Sequence, residues 1–384
     1  MDILAWQNEP SVQRALASLA DIRPVIETVV AIQQVPAPTF DEQERSALVK
    51  ERFTTLKLGD IHSDALGNVY GRRRGRGPGR AVLVSAHTDT VFPRETDLSI
   101  RYEGERIYGP SIGDNSTGVA GLLHLAQTLQ HFDISHRDDI WFVANVCEEG
   151  LGDLRGMRAA VEHLRSQLNQ VIVLEGCDFG TIHHQAIAVR RYRILVRGSG
   201  GHSWGNFGVT SAVHVLVQLA ARLTEISVPG LPRTTYNIGV IEGGTSVNTI
   251  AEQASLLLDM RSVDLAALTQ LVARVDTVIA TFTLSQRDVQ IMVEQVGARP
   301  AGAIGRDHGL VRAATAAYQA VGASINYQQS STDANIPLSM GIPAVCVGLT
   351  DGGNAHRSDE YIVPANLGRG MQALLLLTLA AAEL

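Results

Sequence analysis

The chain has 384 residues, of which 45% are hydrophobic, and its formal net charge is −7. This length exceeds that of one typical hydrophobic core, so two domains are expected, and the acidic balance disfavours nucleic acid as a partner. Three widely separated cysteines argue against a disulfide framework and favour a reducing, cytoplasmic location.

Neither end of the chain predicts a membrane partner. Residues 1–6 lack the basic segment and the long apolar core of a signal peptide. The apolar stretch at 371–384 is too short to span a bilayer, so it is expected to be a packed terminal helix. A basic cluster at residues 72–80 mixes arginine with glycine and proline, which predicts a solvated hairpin connection between two strands.

Three unbroken apolar runs in the first half of the chain lie at residues 81–86, 140–146 and 171–174. Such runs are typical of central strands in a parallel sheet that helices cover on both faces. They lead into His87, the pair Glu148 and Glu149, and Glu175. Because open α/β sheets place their sites at the carboxyl ends of the strands, these side chains are expected to converge at one edge.

Asp114 lies in a loop of small residues, 113–118, that opens an apolar helix at 119–126. Its position at the start of this helix places it near the strand ends. With His356 from far along the chain, the set suits a two-metal hydrolase. Such a site needs one bridging carboxylate, about two further ligands for each ion, and a spare carboxylate for the proton of the attacking water.

A second domain is predicted in the middle of the chain, where the apolar pattern changes near residue 188. Strands are predicted at 189–197, 234–242, 254–261 and 289–294, and helices at 211–223 and 265–281. This β-α-β-β-α-β order is that of a ferredoxin-like sandwich. The predicted organisation is therefore a catalytic domain at 1–187, an inserted domain at 188–296 and the rest of the catalytic domain at 297–384.

Six short motifs occur in one order along the chain: SAHTDT at 85–90, GDN at 113–115, EEG at 148–150, LEG at 174–176, GGHS at 200–203 and AHRSDE at 355–360. In this order they resemble the di-zinc metallopeptidases and amidohydrolases. That family includes acetylornithine deacetylase, succinyl-diaminopimelate desuccinylase, aminoacylase, glutamate carboxypeptidase and tripeptidase T. Each motif alone is weak, but six in register leave little room for chance.

The resemblance implies a zinc-peptidase-type α/β fold, with a mixed, mainly parallel sheet flanked by helices and an inserted ferredoxin-like lid that dimerises. It also implies two zinc ions per chain, with cobalt or manganese as alternatives. Asp114 is similar to the family's bridging ligand. His87 and Glu175 would complete one metal site, and Glu149 and His356 the other.

The resemblance further assigns catalytic roles. Glu148 is similar to the family's general base, and Asp89 to the residue that accepts the second ring N–H of His87. His202 matches a lid histidine that stabilises the oxyanion, often across the dimer. For each position the alternative is an ordinary surface or core residue, and only the combination favours the functional interpretation.

Three further positions are predicted to bind substrate: Asn248, Arg261 and Gly348. Arginine offers a bidentate fork for a carboxylate, although an arginine that ends a strand is more often a surface residue. Residues 331–335 fall where the family has a substrate-pocket loop. Cys147 and Cys177 flank the acidic ligands and are interpreted as buried thiols, with zinc binding as the alternative.

The predicted reaction is hydrolysis of an amide bond in a small peptide or an N-acyl amino acid by a homodimer paired through its lids. Residues 149–156 and 331–335 look more like the tripeptidase and dipeptidase branch, so an exopeptidase acting on di- or tripeptides is favoured. The alternative is an N-acyl-amino-acid deacylase or desuccinylase. A more distant alternative is a non-catalytic metal-binding interaction protein, against which the intact Glu148 argues.

Overall fold

The computed structural model describes residues 3–77 and 79–384 of the protein. The chain divides into two compact units, a larger one that runs to Ala186 and resumes at Gly302, and a smaller one from Ile187 to Ala301. The predicted inserted domain ended at residue 296. The smaller unit reaches further because its last strand continues past Gly297 in the same ladder.

The first segment of the larger unit contains most of the main sheet. Its helices are α1 (Ile3–Gln7), α2 (Pro10–Ser18), α3 (Arg23–Gln33), α4 (Gln43–Thr55), α5 (Gly118–His131) and α6 (Arg155–Leu164). Its strands are β1 (Gly59–Ser63), β2 (Val69–Arg73), β3 (Ala81–His87), β4 (Arg101–Glu103), β5 (Arg106–Tyr108), β6 (Asp139–Asn145), β7 (Leu168–Phe179) and β8 (Thr181–Ala186). A π-type turn spans Ile112–Thr117, and a 3₁₀ turn spans Gly150–Gly152.

The smaller unit has the predicted ferredoxin-like order. Its strands are β9 (Ala188–Arg197), β10 (Gly201–His202), β11 (Thr234–Gly243), β12 (Thr249–Ile250), β13 (Gln253–Ser262) and β14 (Gln290–Arg299), and its helices are α7 (Ala212–Thr224) and α8 (Leu265–Leu284). The antiparallel sheet runs β11-β13-β9-β14, and β10 pairs with β12. Alternating buried residues on β9 and β13 pack against the two helices, so the unit has its own core.

The second segment of the larger unit completes its sheets. It contains β15 (Gly302–Ala303), α9 (Gly309–Ala320), β16 (Asn326–Ser330), α10 (Asn335–Ser339), β17 (Ala344–Gly348), β18 (Asp351–Gly353), β19 (Tyr361–Val363) and α11 (Leu367–Ala381). A 3₁₀ turn at Pro364–Asn366 leads into α11. The apolar tail forms this helix, which begins four residues before the predicted start and is almost entirely buried.

The main sheet runs β1-β2-β6-β3-β7-β17-β8-β15, with β16 beside β8. Its centre, β6-β3-β7-β17, is parallel, and its flanks are mainly antiparallel. The predicted α/β fold with a mixed sheet is confirmed. The predicted hairpin at 72–80 is wrong, because β6 lies between β2 and β3 in the sheet. Pro78 of that segment lies outside the described residues.

Helices cover both faces of the main sheet, as the unbroken apolar runs predict. Apolar residues of α3, α5, α9 and α11 pack on one face, and those of α6 and α10 pack on the other. Within the described ranges, α8 of the smaller unit is the one helix long and apolar enough to cross a membrane. Its residues Leu268, Leu271, Val275 and Ile279 pack into the core of that unit.

Candidate functional site

Polar side chains of the larger unit gather at one edge of its parallel strands. His87 is the last residue of β3 and pairs in register with Asn145, the last residue of β6. Glu148 and Glu149 follow β6 after two intervening residues. Glu175 lies inside β7, at the point where the regular ladder with β17 ends at Leu174. The predicted convergence of these side chains is thus observed, although β7 continues beyond Glu175.

Asp114 lies between two histidines that are far apart in sequence. Its Oδ1 lies 3.1 Å from His87 Nε2, and its Oδ2 lies 3.1 Å from His356 Nε2. The carboxylate is held in the π-type turn before α5, where its own φ and ψ, −107° and 93°, are not helical. One carboxylate thus directs each of its oxygens at a different imidazole, which is the arrangement that a bridging ligand requires.

The two histidines each meet a second carboxylate. His87 Nε2 lies 3.6 Å from Glu175 Oε2, and His356 Nε2 lies 3.1 Å from Glu149 Oε1. His356 has a positive φ of 67°, a conformation that side chains larger than glycine rarely adopt. The loop that carries His356 is therefore held in a strained backbone conformation.

Among the described residues, potential ligand atoms fall into three groups, each with all atoms within 4.8 Å of one another. The groups are His87 with Asp114 and Glu175, Asp114 with Glu149 and His356, and His87 with Glu148 and Glu149. The first two share Asp114 and contain all five predicted ligands. Imidazole and carboxylate donors in two groups with a shared carboxylate fit two zinc-class cations.

The pKa values of the site are strongly shifted by burial and by the close contacts among its acids and imidazoles. Desolvation, followed by the charge of Asp114, raises the pKa of Glu149 to about 7, and desolvation raises the pKa of Glu175 to about 6. Hydrogen bonds to Asp114 and Glu149 raise the pKa of His356 to about 10. Burial opposes protonation of His87, but its carboxylate neighbours outweigh burial and raise its pKa well above the usual value. The cluster therefore retains protons that divalent cations would displace.

Asp89 is fully buried and joins two of the segments that carry site residues. Its Oδ1 accepts from the Glu148 backbone N–H, and its Oδ2 accepts from the Glu149 N–H, each at 2.9 Å. Its predicted contact with the His87 ring is long, at 3.5 Å from Nδ1, because that nitrogen lies nearer the Asp89 backbone oxygen, at 3.1 Å. The carboxylate thus fixes the acidic pair at least as directly as it fixes the imidazole.

Sequence reasoning missed the polar side chains that support this loop. Thr39 donates its hydroxyl to Asp89 Oδ2 at 2.9 Å, and Glu42 Oε1 accepts from the Cys147 N–H at 3.1 Å. The buried guanidinium of Arg45 donates to the Thr88 carbonyl at 2.8 Å. Their sequence signal is weak, since polar residues at 39–45 also suit a solvated helix start. Only the buried position of Arg45 reveals its role.

A second missed link is formed by a buried acid of the loop at 331–335. Asp333 Oδ2 accepts from Asn145 Nδ2 at 2.7 Å, and Asp333 is wholly buried. Desolvation, reinforced by the negative charge of Glu148, raises the pKa of Asp333 well above its usual value. The predicted substrate-pocket loop therefore anchors the end of β6 next to His87.

His202 and Asn248 lie together in the smaller unit. His202 pairs with Thr249 in the short β10–β12 ladder, and Ser203 donates its N–H to the Asn248 carbonyl at 3.0 Å. His202 is exposed, and its Nδ1 accepts from the N–H groups of Trp204 and Gly205, each at 3.2 Å. The ring proton therefore resides on Nε2, so this nitrogen is a hydrogen-bond donor.

The other two residues predicted to bind substrate, Arg261 and Gly348, both make contacts within the protein. Arg261 on β13 donates from Nε to Asp259 Oδ2 at 2.6 Å, and Asp259 also pairs with Arg191 at 2.8 Å. Gly348 ends β17 in a buried position, where its carbonyl accepts from the Tyr318 hydroxyl at 2.6 Å. A side chain at Gly348 would meet the backbone of Cys177 and Asp178. Packing therefore explains this glycine, and its contact with substrate stays a prediction.

Of the two cysteines near the site, Cys147 is buried and Cys177 is partly buried. All three cysteines of the chain are free, and burial raises the pKa of Cys147 to about 12. The thiol of Cys147 lies 3.5 Å from Glu42 Oε1, the same oxygen that accepts the Cys147 backbone N–H. The three ligand groups of the described residues contain no cysteine. The predicted buried thiol is thus observed at Cys147, whereas Cys177 is only partly buried.

Fold and site together define a hydrolase that carries a cluster of carboxyl and imidazole groups at the edge of a mixed sheet. The model of peptidase family M20/M25/M40 matches residues 83–380 of the chain. The protein therefore belongs to this family and is a hydrolase, as the sequence motifs predict.

Similar proteins include enzymes with different substrates. Succinyl-diaminopimelate desuccinylase of Corynebacterium glutamicum is 27% identical over 85% of this chain and 88% of its own length. Carboxypeptidase G2 of a Pseudomonas species is 24% identical over 99% of this chain and 92% of its own length. A crystal structure of a tripeptidase from Staphylococcus aureus matches with a TM-score of 0.75 at 22% identity, over 93% of this chain and 98% of that one. The last likeness shows the fold alone.

Proposed function

We propose that the protein is a two-metal exopeptidase that hydrolyses the amide bond of di- or tripeptides. The observation that carries the proposal is the position of Asp114, whose two carboxylate oxygens lie 3.1 Å from His87 and from His356. His87, Asp114 and Glu175 would hold one cation, and Asp114, Glu149 and His356 the other. When bound, the two cations would polarise the scissile carbonyl and lower the pKa of the attacking water.

Glu148 is the general base of the proposed reaction. Glu148 is buried, and Asp89 accepts its backbone N–H. Its carboxylate belongs to the ligand group with His87 and Glu149, but not to either of the two groups that contain Asp114. We call the two groups that share Asp114 the proposed ion centre. A carboxylate that lies next to this centre without belonging to it is suited to accept a proton from the attacking water. Glu148 therefore takes a proton from the attacking water and delivers it to the leaving amine.

His202 supplies a hydrogen bond to the oxyanion in this proposal, and Asn248 and Arg261 hold polar groups of the substrate. The support for His202 is its tautomer, because Nδ1 accepts two backbone N–H groups and Nε2 is left as a donor. Because His202 is exposed, this proposal requires a second protein surface to pack against its loop before Nε2 can donate to the oxyanion.

A homodimer formed through the smaller unit would provide that surface. The loops around His202 expose Trp204 and Phe207, and the neighbouring loop exposes Val247. Strand β11 lies at the edge of its sheet and exposes Val240 and Ile241. An apolar sheet edge and exposed aromatic side chains favour pairing with a second copy. We further propose that the dimer is cytoplasmic, in keeping with its free cysteines.

Mixed dimers test whether His202 acts across the interface. Chains with His202→Ala and chains with Glu148→Gln are each expected to be almost inactive. A heterodimer of the two regains one intact site if the histidine serves the neighbouring chain. Verified heterodimers without recovered activity would refute action across the interface.

A substrate panel tests the proposed specificity. Protein loaded with zinc, cobalt or manganese is assayed on di- and tripeptides with free or blocked termini, and on acetyl- and succinyl-amino acids. The proposal expects the highest kcat/KM for short peptides with free termini. Preference for a succinyl-amino acid would instead establish the second candidate, a desuccinylase, which the similarity to the Corynebacterium enzyme favours.

A further inference from the structure

Glu360 collects backbone N–H groups from the loop that presents Asp114. Its Oε1 accepts from the N–H groups of Gly113 and Asp114, each at 2.7 Å, and its Oε2 accepts from Ser111 at 3.2 Å. Only 1% of Glu360 is exposed to solvent. A buried carboxyl group that accepts three backbone N–H groups holds their positions firmly, because losing such hydrogen bonds inside the protein is costly.

The same residue also belongs to the segment that carries His356. Glu360 follows His356 by four residues, and its backbone carbonyl accepts from the Gly109 N–H at 2.9 Å. Directly after it, β19 pairs with β5. Glu360 therefore joins two segments that are about 250 residues apart, since its hydrogen bond to Ser111 spans 249 positions. One segment presents Asp114 and the other presents His356.

The close approach of Glu360 depends on a glycine. A Cβ atom added to Gly113 would lie 3.1 Å from Glu360 Oε1 and 2.6 Å from the Cys177 thiol. A side chain at Gly113 would thus clash with the Cys177 thiol and crowd the Glu360 carboxyl group. The loop at 111–114 and Glu360 therefore pack closely. They do so even though a buried carboxyl group beside Asp114 is electrostatically unfavourable.

We propose that Glu360 is a positioning residue for the cation held by Asp114, Glu149 and His356. The inference rests on the proposed function. Two of the three ligands of this cation lie on the segments that Glu360 joins. The other cation, with His87 and Glu175, shares only Asp114. Loss of the Glu360 carboxylate therefore weakens the His356 site more than the His87 site.

Zinc titration of metal-stripped protein tests the inference, with competition against a chelator to measure both affinities. Glu360→Gln keeps the size of the side chain but turns an N–H group towards backbone N–H donors. The variant is expected to bind one ion as wild type does and the second about 10–100-fold more weakly, the usual cost of losing a residue that orients a ligand. Gly113→Ala is expected to weaken the same ion.

Asp64→Asn is the matched control. Asp64 Oδ1 accepts the backbone N–H groups of Leu66, Gly67 and Asn68 in a turn that carries none of the proposed ligands. This variant is expected to lower the melting temperature and leave both zinc affinities unchanged. The double variant Glu360→Gln with His356→Ala should bind zinc no more weakly than His356→Ala alone, because both changes act on one site.

The outcomes separate the inference from the proposed function. Wild-type protein that binds two ions, together with a folded Glu360→Gln variant that binds both equally well, contradicts the inference alone. Equal weakening of both ions in that variant also contradicts it, as does the same loss in Asp64→Asn. Wild-type protein that takes up fewer than two ions contradicts the proposed function itself.

Discussion

The cluster around Asp114 and the loop around His202 differ in how they are held. His87, Asp114 and His356 come from three distant parts of the larger unit, and backbone N–H groups that donate to the buried carboxyl groups of Asp89 and Glu360 fix the segments around them. His202 is exposed, and hydrogen bonds with residues of the smaller unit hold its loop. The comparison indicates that the larger unit preorganises the proposed ion centre through buried contacts, whereas the loop of the proposed oxyanion donor is open to solvent.

The largest effect is expected at the shared ligand. Asp114→Ala removes the carboxylate common to both cation groups, so both ions should be lost and turnover should fall by at least about 10⁴-fold. Elemental analysis and kcat/KM measure the two effects on the same preparation. A variant that retained both ions would break the comparison, because the cluster would then not depend on its central carboxylate.

The adjacent acids should separate in function. Glu148→Gln should lower kcat by about 10²–10⁴-fold with metal content nearly unchanged, since a general base moves protons and does not coordinate. Glu149→Gln should weaken the ion near His356. Metal content and single-turnover rates of both variants distinguish these roles, and equal metal loss in the two would refute the division.

A smaller effect is expected in the exposed loop. His202→Ala should bind both ions as wild type does and lose about 10²–10³-fold in kcat, which is the usual effect of removing one oxyanion donor. Trp204→Ala, in the same loop, is the control for general loop damage when dimerisation is measured alongside. Loss of metal from the His202 variant would contradict the separation of the two regions.

The smallest effect is expected on the free energy of unfolding of the larger unit, which should depend on pH through His124. Burial lowers the pKa of His124 on α5 from 6.5 to about 4, and its Nε2 lies 2.8 Å from the Thr28 hydroxyl. The unfolded chain therefore binds a proton at moderately acidic pH that the folded chain does not. Stability should fall by about 2 kcal/mol from about pH 7 to about pH 5, and fall further towards pH 4.

His124→Gln provides the control for this pH dependence. Because glutamine does not titrate, the variant should show a flatter profile over the same pH range, although its stability at neutral pH can differ. Denaturant unfolding at each pH measures both profiles. Equal slopes for wild type and variant would show that other groups cause the loss of stability.

The convergence of His87, Glu149 and Glu175 was predictable because strand ends are visible in the sequence, whereas Asp114 was placed by its loop and His356 by the family resemblance. Unbroken apolar runs located β3, β6 and β7, and the acids and histidine after them followed from the rule for parallel strands. Period-two strands and apolar helices likewise predicted the order of the smaller unit. The placement of β6 between β2 and β3 was not predictable, because long-range pairing leaves no local signal.

The supporting residues could not be predicted for a similar reason. Thr39, Glu42 and Glu360 act on backbone N–H or carboxylate groups that lie far away in sequence. A buried glutamate that accepts three backbone donors looks like any surface glutamate until the fold is known. The pocket shapes that select a substrate depend on such contacts, so the sequence predicts the reaction class better than the substrate.

The number of divalent ions bound by wild-type protein tests the central claim most directly. Protein stripped with a chelator, reloaded with zinc and freed of excess metal is analysed by elemental mass spectrometry against its measured concentration. The account predicts close to two ions per chain, with activity lost on stripping and restored on reloading. One ion or none in fully active protein would contradict it, because Asp114 would then not join two cations.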